Sequence, residues 1–133
     1  DVGLHTDPQE VERLQKQKRK GRLILSHHDF RTTPSEKRLE QIVLKANRLG
    51  ADLVKIATMV RSLEDNRRLI ELAMKLSEQK VRHIIIGMGE MGMITRILRQ
   101  ALGNELHFVS LEATTAPGQL TLEQALKFQS VLK

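Results

Sequence analysis

The stretch of sequence that decides the fold is Asp52-Leu53-Val54-Lys55-Ile56-Ala57. Its apolar, partly β-branched composition predicts a buried strand, in which Lys55 points to the face opposite Val54 and Ile56. An ammonium group among apolar side chains costs free energy unless it is paired or its pKa falls. Two interpretations are open at this point. Lys55 extends from the end of the strand into water, or it serves as a neutral amine that forms Schiff bases with ketones.

The same pattern of an apolar strand followed by a helix recurs along the chain. Strands are predicted at residues 1–5, 23–28, 52–57, 81–88 and 106–111. Helix starts are predicted at residues 6–10, 62–65 and at two capping boxes, 33–36 and 121–124. A further helix carries Ile94, Ile97, Leu98 and Leu102, and the last helix continues to Leu132. Five β-α units without a hairpin signal predict a parallel α/β fold, either an open doubly wound sheet or part of a TIM barrel.

Composition limits the classes of function. The 133 residues suffice for one domain with a sizeable core, and the chain contains no cysteine, as expected in a reducing cytoplasm. No apolar run is long enough to predict a membrane partner. The net charge of +6 favours acidic partners. However, the chain contains three Phe and no Tyr or Trp, so it has few aromatic side chains on which nucleic-acid bases could stack. Nucleic acid is therefore not an expected partner, and no histidine spacing typical of a metal site is present.

The glycine-rich sequence GMGEMG at residues 87–92 matches the dinucleotide-binding pattern G-x-G-x-x-G, and Glu112 follows about twenty residues later. The motif follows the fourth predicted strand, whereas the dinucleotide fingerprint belongs to the first βα turn of its fold. Glycines also occur in any loop that lies close against a ligand, so both interpretations are open from this motif alone.

Polar residues collect where the predicted strands end, which is where parallel α/β proteins bind ligands. His28 ends the second strand on the face of Ile24, while His27 is expected to point toward the helices. Arg96 follows the glycine loop, and Thr115 and Gln119 lie in the loop after the last strand. Each of these residues also has an ordinary structural explanation, as a surface histidine, a helix cation or turn residues.

The order of these motifs along the chain resembles that of the type I 3-dehydroquinate dehydratases. The matching segments are SHHDF at residues 26–30, VKIATM at 54–59, MGMITR at 91–96 and APGQ at 116–119. The glycine loop is part of this match, which makes a dinucleotide site a remote alternative. The resemblance implies a (β/α)₈ TIM barrel, of which residues 1–133 form the C-terminal part with five β/α units.

The resemblance also implies a reaction, the dehydration of the anionic small molecule 3-dehydroquinate to 3-dehydroshikimate in the shikimate pathway, with no metal or cofactor. Lys55 would form the Schiff base and His28 would be the general acid and base. Arg96 would bind the substrate carboxylate, and Thr115 and Gln119 would contact substrate oxygens. Thr115 and Thr95 stand where the family usually has serine, and Val54 replaces a frequent proline.

The upstream part of the family's barrel has no counterpart in this sequence, which begins at Asp1. A whole barrel needs about 250 residues. The lacking part carries a Glu-x-Arg segment, another arginine and the glutamate that orients the histidine, and Asp29 is expected to face the wrong way to replace it. We therefore expect weak or no activity of the 133-residue chain alone. Its open edges would be covered by a longer parent, a rearrangement or a second copy in a homodimer. A metabolite-binding regulatory module and a Schiff-base aldolase are the alternative functions.

Overall fold

The computed structural model describes residues 1–111 and 118–131. Four parallel strands form one sheet in chain order: β1 (Val2–Gly3), β2 (Ile24–Asp29), β3 (Leu53–Met59) and β4 (His83–Met88). A doubly wound sheet reverses its strand order at a switch point, whereas strands of a TIM barrel follow one another around the sheet. The unbroken order of the described strands therefore corresponds to a segment of a barrel.

In the described residues, five helices accompany the sheet: α1 (Pro8–Gln17), α2 (Glu36–Arg48), α3 (Leu63–Glu78), α4 (Met93–Ile97) and α5 (Leu122–Val131). The predicted capping box of α5 is confirmed, because Thr121 and Gln124 exchange bonds between side chains and backbone amides of 3.0 and 3.2 Å. The predicted capping box at residues 33–36 is wrong. Ser35 caps α2, while the hydroxyl of Thr33 bonds the hydroxyl of Thr58 and the carbonyl of Met59 in the adjoining strand.

The sheet has two different faces. On the outer face, Leu25, Val54, Ile56 and Ile85 join the helices in the larger core cluster. On the inner face, a smaller cluster contains Leu53, Ala57, Ile84, Ile86 and Met88. This separation follows from the strand register, in which Ser26 lies opposite Lys55, and Lys55 opposite Ile84. Because paired residues of parallel strands share a face, Lys55 belongs to the inner face.

The predicted fifth strand at residues 106–111 is not formed. The free edge of β4 is already bonded by residues that precede this segment. The Glu105 N–H donates to His83, the Asn104 side chain bonds both the N–H and the C=O of Ile85, and Thr95 Oγ1 accepts from the Gly87 N–H. Residues 106–111 therefore have no ladder to join. An isolated bridge between Ser110 and Thr121 is the pairing recorded there.

The helix predicted after the glycine loop is also shorter than expected, since α4 ends at Ile97 and residues 98–103 form turns. Its first residue follows Gly92, which has no side chain to cap the helix. Among the described helices, none is long and apolar enough to cross a lipid bilayer.

Candidate active site

Lys55 lies in the middle of β3, and its side chain is only 11 % exposed. This burial contradicts the interpretation that the side chain extends into water. The Nζ atom donates to Oδ2 of Asp1 at 2.7 Å and lies 4.2 Å from the centroid of the Phe108 ring. Burial lowers the pKa of Lys55. The carboxylate and the ring both favour the ammonium form, so the amine is paired but desolvated.

His28 lies on the strand beside Lys55, on the same face and further toward the carboxyl end. It occupies the register position of Ala57, two residues beyond Lys55. Burial first, and then the positive charge of Lys55, lower the pKa of His28. A neutral imidazole that can accept a proton is therefore favoured near neutral pH. The Phe30 ring stacks on that imidazole with a centroid distance of 6.1 Å and an interplanar angle of 10°.

His27 and Asp29 point away from the inner face, as their position in the strand predicts. The Asp29 carboxylate accepts hydrogen bonds from the backbone amides of Arg31 and Thr32, which form the turn after β2. Its charge raises the pKa of His27 against the stronger effect of burial. Asp29 is therefore not placed to orient His28.

The glycine loop after β4 is held together by close backbone packing. A methyl group on Gly92 would lie 2.4 Å from the Gly87 carbonyl carbon, and Gly89 has a φ of +83°. The buried Thr95 hydroxyl accepts from the Gly87 N–H and donates to the Gly92 carbonyl at 2.9 Å. These contacts explain why glycine is needed in this loop, and the explanation requires no bound dinucleotide. They also explain how threonine serves in place of serine at position 95, since its hydroxyl has both partners.

The loop that carries Gln119 approaches the same end of the sheet. A methyl group on Gly118 would lie 2.2 Å from the carbonyl oxygen of Gly89, and one on Gly89 would lie 3.0 Å from the Met59 sulfur. Half-buried Gln119 is thus next to the loop that ends β4 and close to the end of the Lys55 strand. Thr115 lies outside the described residues.

Arg96 is 5 % exposed, and its Nε atom is buried without a hydrogen-bond partner among the described residues. Burial lowers the pKa of Arg96. The side chain lines a small cavity together with Arg99, His107 and Phe128. Within residues 1–111 and 118–131, no hydrogen bond or ion pair joins Arg96 to Lys55 or His28. The structure therefore brings Lys55 and His28 together and leaves Arg96 in a neighbouring cavity.

Two contacts of Lys55 were missed in the sequence. The sequence predicts Asp1 in a strand tail and Phe108 in a fifth strand, and it predicts a contact with Lys55 for neither. One signal could have pointed to Asp1: it lies in the first predicted strand, and the next two predicted strands carry His28 and Lys55. No sequence signal reveals the Phe108 contact, because it depends on the path of a segment without regular structure.

The comparisons with known proteins agree with this architecture. The family model described as type I 3-dehydroquinase matches residues 1–133. A 3-dehydroquinate dehydratase of Alkaliphilus oremlandii is 38 % identical over an alignment of 127 positions, and this alignment covers 92 % of this chain and 50 % of that protein. A catabolic 3-dehydroquinate dehydratase of Acinetobacter baylyi is 35 % identical over an alignment of 133 positions, and this alignment covers 96 % of this chain and 49 % of that protein. The chain therefore spans about half the length of these relatives.

Solved structures show the same similarity. The type I 3-dehydroquinate dehydratase of Clostridium difficile superimposes with a TM-score of 0.90 at 27 % identity, covering 99 % of this chain and 54 % of that one. The 3-dehydroquinate dehydratase of Geobacillus kaustophilus gives a TM-score of 0.89 at 28 % identity, covering 99 % and 52 %. With a strand order typical of a barrel segment and a family model matched over its whole length, the chain belongs to the type I 3-dehydroquinase family.

Proposed function

We propose that residues 1–133 form the C-terminal part of a type I dehydroquinate dehydratase barrel. The complete enzyme would convert 3-dehydroquinate to 3-dehydroshikimate through a Schiff base on Lys55. The observation that carries the proposal is the burial of Lys55 beside His28 on the inner face of the sheet. The names of the relatives supply the substrate class. The C. difficile structure contains covalently modified comenic acid, which supports covalent chemistry within the family.

The first step requires a neutral Lys55 amine. Desolvation favours loss of the ammonium proton, and the nitrogen then attacks the substrate ketone. The ketone oxygen leaves as water when the iminium forms. Because the iminium withdraws electrons, the adjacent C–H becomes acidic enough for His28 to accept its proton.

The second half of the reaction uses the same histidine in the opposite sense. The electron pair from the broken C–H bond forms the new carbon–carbon double bond, and the substrate hydroxyl leaves as water with the proton from His28. A second water then hydrolyses the iminium and frees Lys55. One water is therefore lost from the substrate overall, with no change in oxidation state that would need a cofactor.

The remaining site residues would bind the substrate. Arg96 is a buried guanidinium whose Nε has no partner in the part of the chain that the structure describes, and a planar fork of this kind suits a carboxylate. Gln119, from the loop beside Gly89, and Thr115 would contact substrate oxygens. For Arg96 to reach a substrate held by Lys55, its side chain would turn toward the inner face when the substrate binds.

Borohydride trapping tests the Schiff base. The full-length protein is mixed with 3-dehydroquinate and sodium borohydride, and the mass adduct is located by peptide mapping. We expect the adduct on Lys55, its loss in Lys55→Met, and its retention in Lys37→Met, where an exposed lysine of α2 is replaced. An adduct on another lysine, or turnover without an adduct, would overturn the role of Lys55. Substrate binding without product formation would favour a regulatory module instead.

A further inference from the structure

A second cavity lies beside the carboxyl end of β2, where β1 no longer covers it. β1 pairs with β2 only through Val2 and Gly3, so the edge of β2 beyond Ser26 is open. The cavity of about 300 Å³ is bounded by the residues after β1, the end of β2 and one side of α2. Its volume is at the lower end of the range for small-molecule sites.

The lining of this cavity is basic. Arg38 and Lys45, two turns apart on α2, face it together with His5 and His27. No aspartate or glutamate lines it among the described residues. Arg38 has one weak bond of 3.4 Å to Gln41, and neither cation forms an ion pair with a described carboxylate.

The opposite side of α2 differs in this respect. There Glu36 pairs with Arg67, and Glu40 pairs with Lys75, both of helix α3. The helix therefore uses its acidic residues for contacts within the protein and presents unpaired cations to the cavity. A separation of charge of this kind lowers the free energy of an anion in the cavity.

His27 contributes a ring nitrogen to the lining of the cavity. Its Nε2 atom is buried and has no hydrogen-bond partner among residues 1–111 and 118–131. Buried polar atoms are nearly always bonded, so a partner from outside the described residues is expected at this atom. Asp29, the acidic residue that acts on His27, is already bonded to two backbone amides and does not line the cavity.

We propose that this cavity binds a small oxyanion, a phosphate or a carboxylate, through His27, Arg38 and Lys45. The Arg38 guanidinium and the Lys45 ammonium would supply charge-assisted bonds, and the His27 imidazole would supply a directed donor. Lys55 does not line this cavity, whereas His28 does. The inference does not rest on the proposed function, because it uses neither Lys55 nor Arg96.

The test is a titration of the 133-residue chain with inorganic phosphate and, separately, with succinate, at constant ionic strength set with sodium chloride. Calorimetry gives the dissociation constant, and the His27 imidazole resonances report the position of binding. We expect saturable binding of one of these anions that shifts the His27 resonances. The tighter of the two identifies the source as phosphate or carboxylate.

Variants of α2 distinguish specific binding in the cavity from general attraction of anions to a basic surface. Arg38→Gln and Lys45→Gln are each expected to weaken binding about tenfold, the effect of losing one charge-assisted bond. Lys37→Gln removes the same charge from the same exposed helix outside the cavity and is expected to leave the dissociation constant unchanged. Equal weakening by all three variants, or resonance shifts spread over surface cations without His27, would overturn the proposal. Circular dichroism confirms that each variant is folded.

Discussion

The Nζ atom of Lys55 donates a 2.7 Å hydrogen bond to the carboxylate of Asp1, a residue 54 positions earlier in the chain. Asp1 directly precedes β1, which pairs with β2, and β2 separates it from the Lys55 strand. The ion pair therefore reaches across one strand on the inner face. It keeps a desolvated ammonium in place, and the amine has to lose this partner or its proton before it can act as a nucleophile.

Asp1→Asn is expected to lower the pKa of Lys55 further. The carboxylate stabilises the charged amine, so without it the proton leaves at lower pH, while burial still acts in the same direction. The pH dependence of Lys55 labelling by an amine-reactive reagent, followed by peptide mass mapping, measures the midpoint. Asp7→Asn, at the cap of α1, serves as the control. An unchanged or raised midpoint in Asp1→Asn would contradict the importance of this ion pair.

Dehydration of 3-dehydroquinate by the 133-residue chain alone is expected to be at least about 100-fold slower than by an intact relative, since loss of substrate-positioning groups has effects of this size. Absorbance of the conjugated product measures the rate, and the A. oremlandii enzyme provides the reference. Rates within a few-fold of each other would show that the described half of the barrel carries a sufficient site.

Asn104→Ala is expected to lower the free energy of unfolding by about 1–3 kcal/mol. The Asn104 side chain accepts from the Ile85 N–H at 2.6 Å and donates to the Ile85 carbonyl at 3.1 Å. Both groups of a fully buried residue would lose their partner. Urea unfolding measures the change. Asn47→Ala, on the exposed side of α2, should change stability by no more than about 0.5 kcal/mol. A similar small change in Asn104→Ala would mean that water replaces the amide.

The stability of the chain is expected to fall as the pH decreases from 6.5 to 4, in part because of His107. Burial, with the charges of Arg99 and Arg96, lowers the pKa of His107 from 6.5 to about 4. In this pH window the unfolded chain binds a proton that the folded chain does not, so unfolding becomes easier. The contribution is about 1–3 kcal/mol.

Urea unfolding of His107→Gln at pH 7, 5.5 and 4.5 tests this contribution. The variant should lose less stability than the unchanged chain over this range, while His5→Gln, which replaces an exposed histidine, should follow the unchanged chain. The same pH dependence in His107→Gln and the unchanged chain would assign the effect to other groups.

The sequence was informative where local chemistry determines the structure. Ser62 starts α3, β4 is buried on both faces, and Lys55 lies on the face opposite Val54 and Ile56, all as predicted. The strand order in the sheet distinguishes a doubly wound sheet from a barrel, and this order cannot be read from the pattern of the sequence. The family resemblance anticipated the barrel, and the matched family and the solved structures confirm it.

The errors arose where residues distant in sequence compete for one partner. Thr33 is of a residue type that often caps helices, but β3 offers its hydroxyl two hydrogen-bond partners, the Thr58 hydroxyl and the Met59 carbonyl. Residues 106–111 have the composition of a strand, yet Asn104 already bonds the edge that they would join. Whether Arg96 and Gln119 act with Lys55 stays a prediction, because their roles depend on a bound substrate.

The contact between Gly118 and Gly89 has a consequence for how this protein can evolve. Each glycine adopts a positive φ, and a side chain on Gly118 would overlap the backbone of the other loop. Whether a mutation in one loop is tolerated therefore depends on the other loop, although Gly89 and Gly118 are 29 positions apart in the chain. Natural variants that accept a larger residue at one of these positions should carry a compensating insertion or deletion in the other loop, so the two loops are expected to change together during divergence.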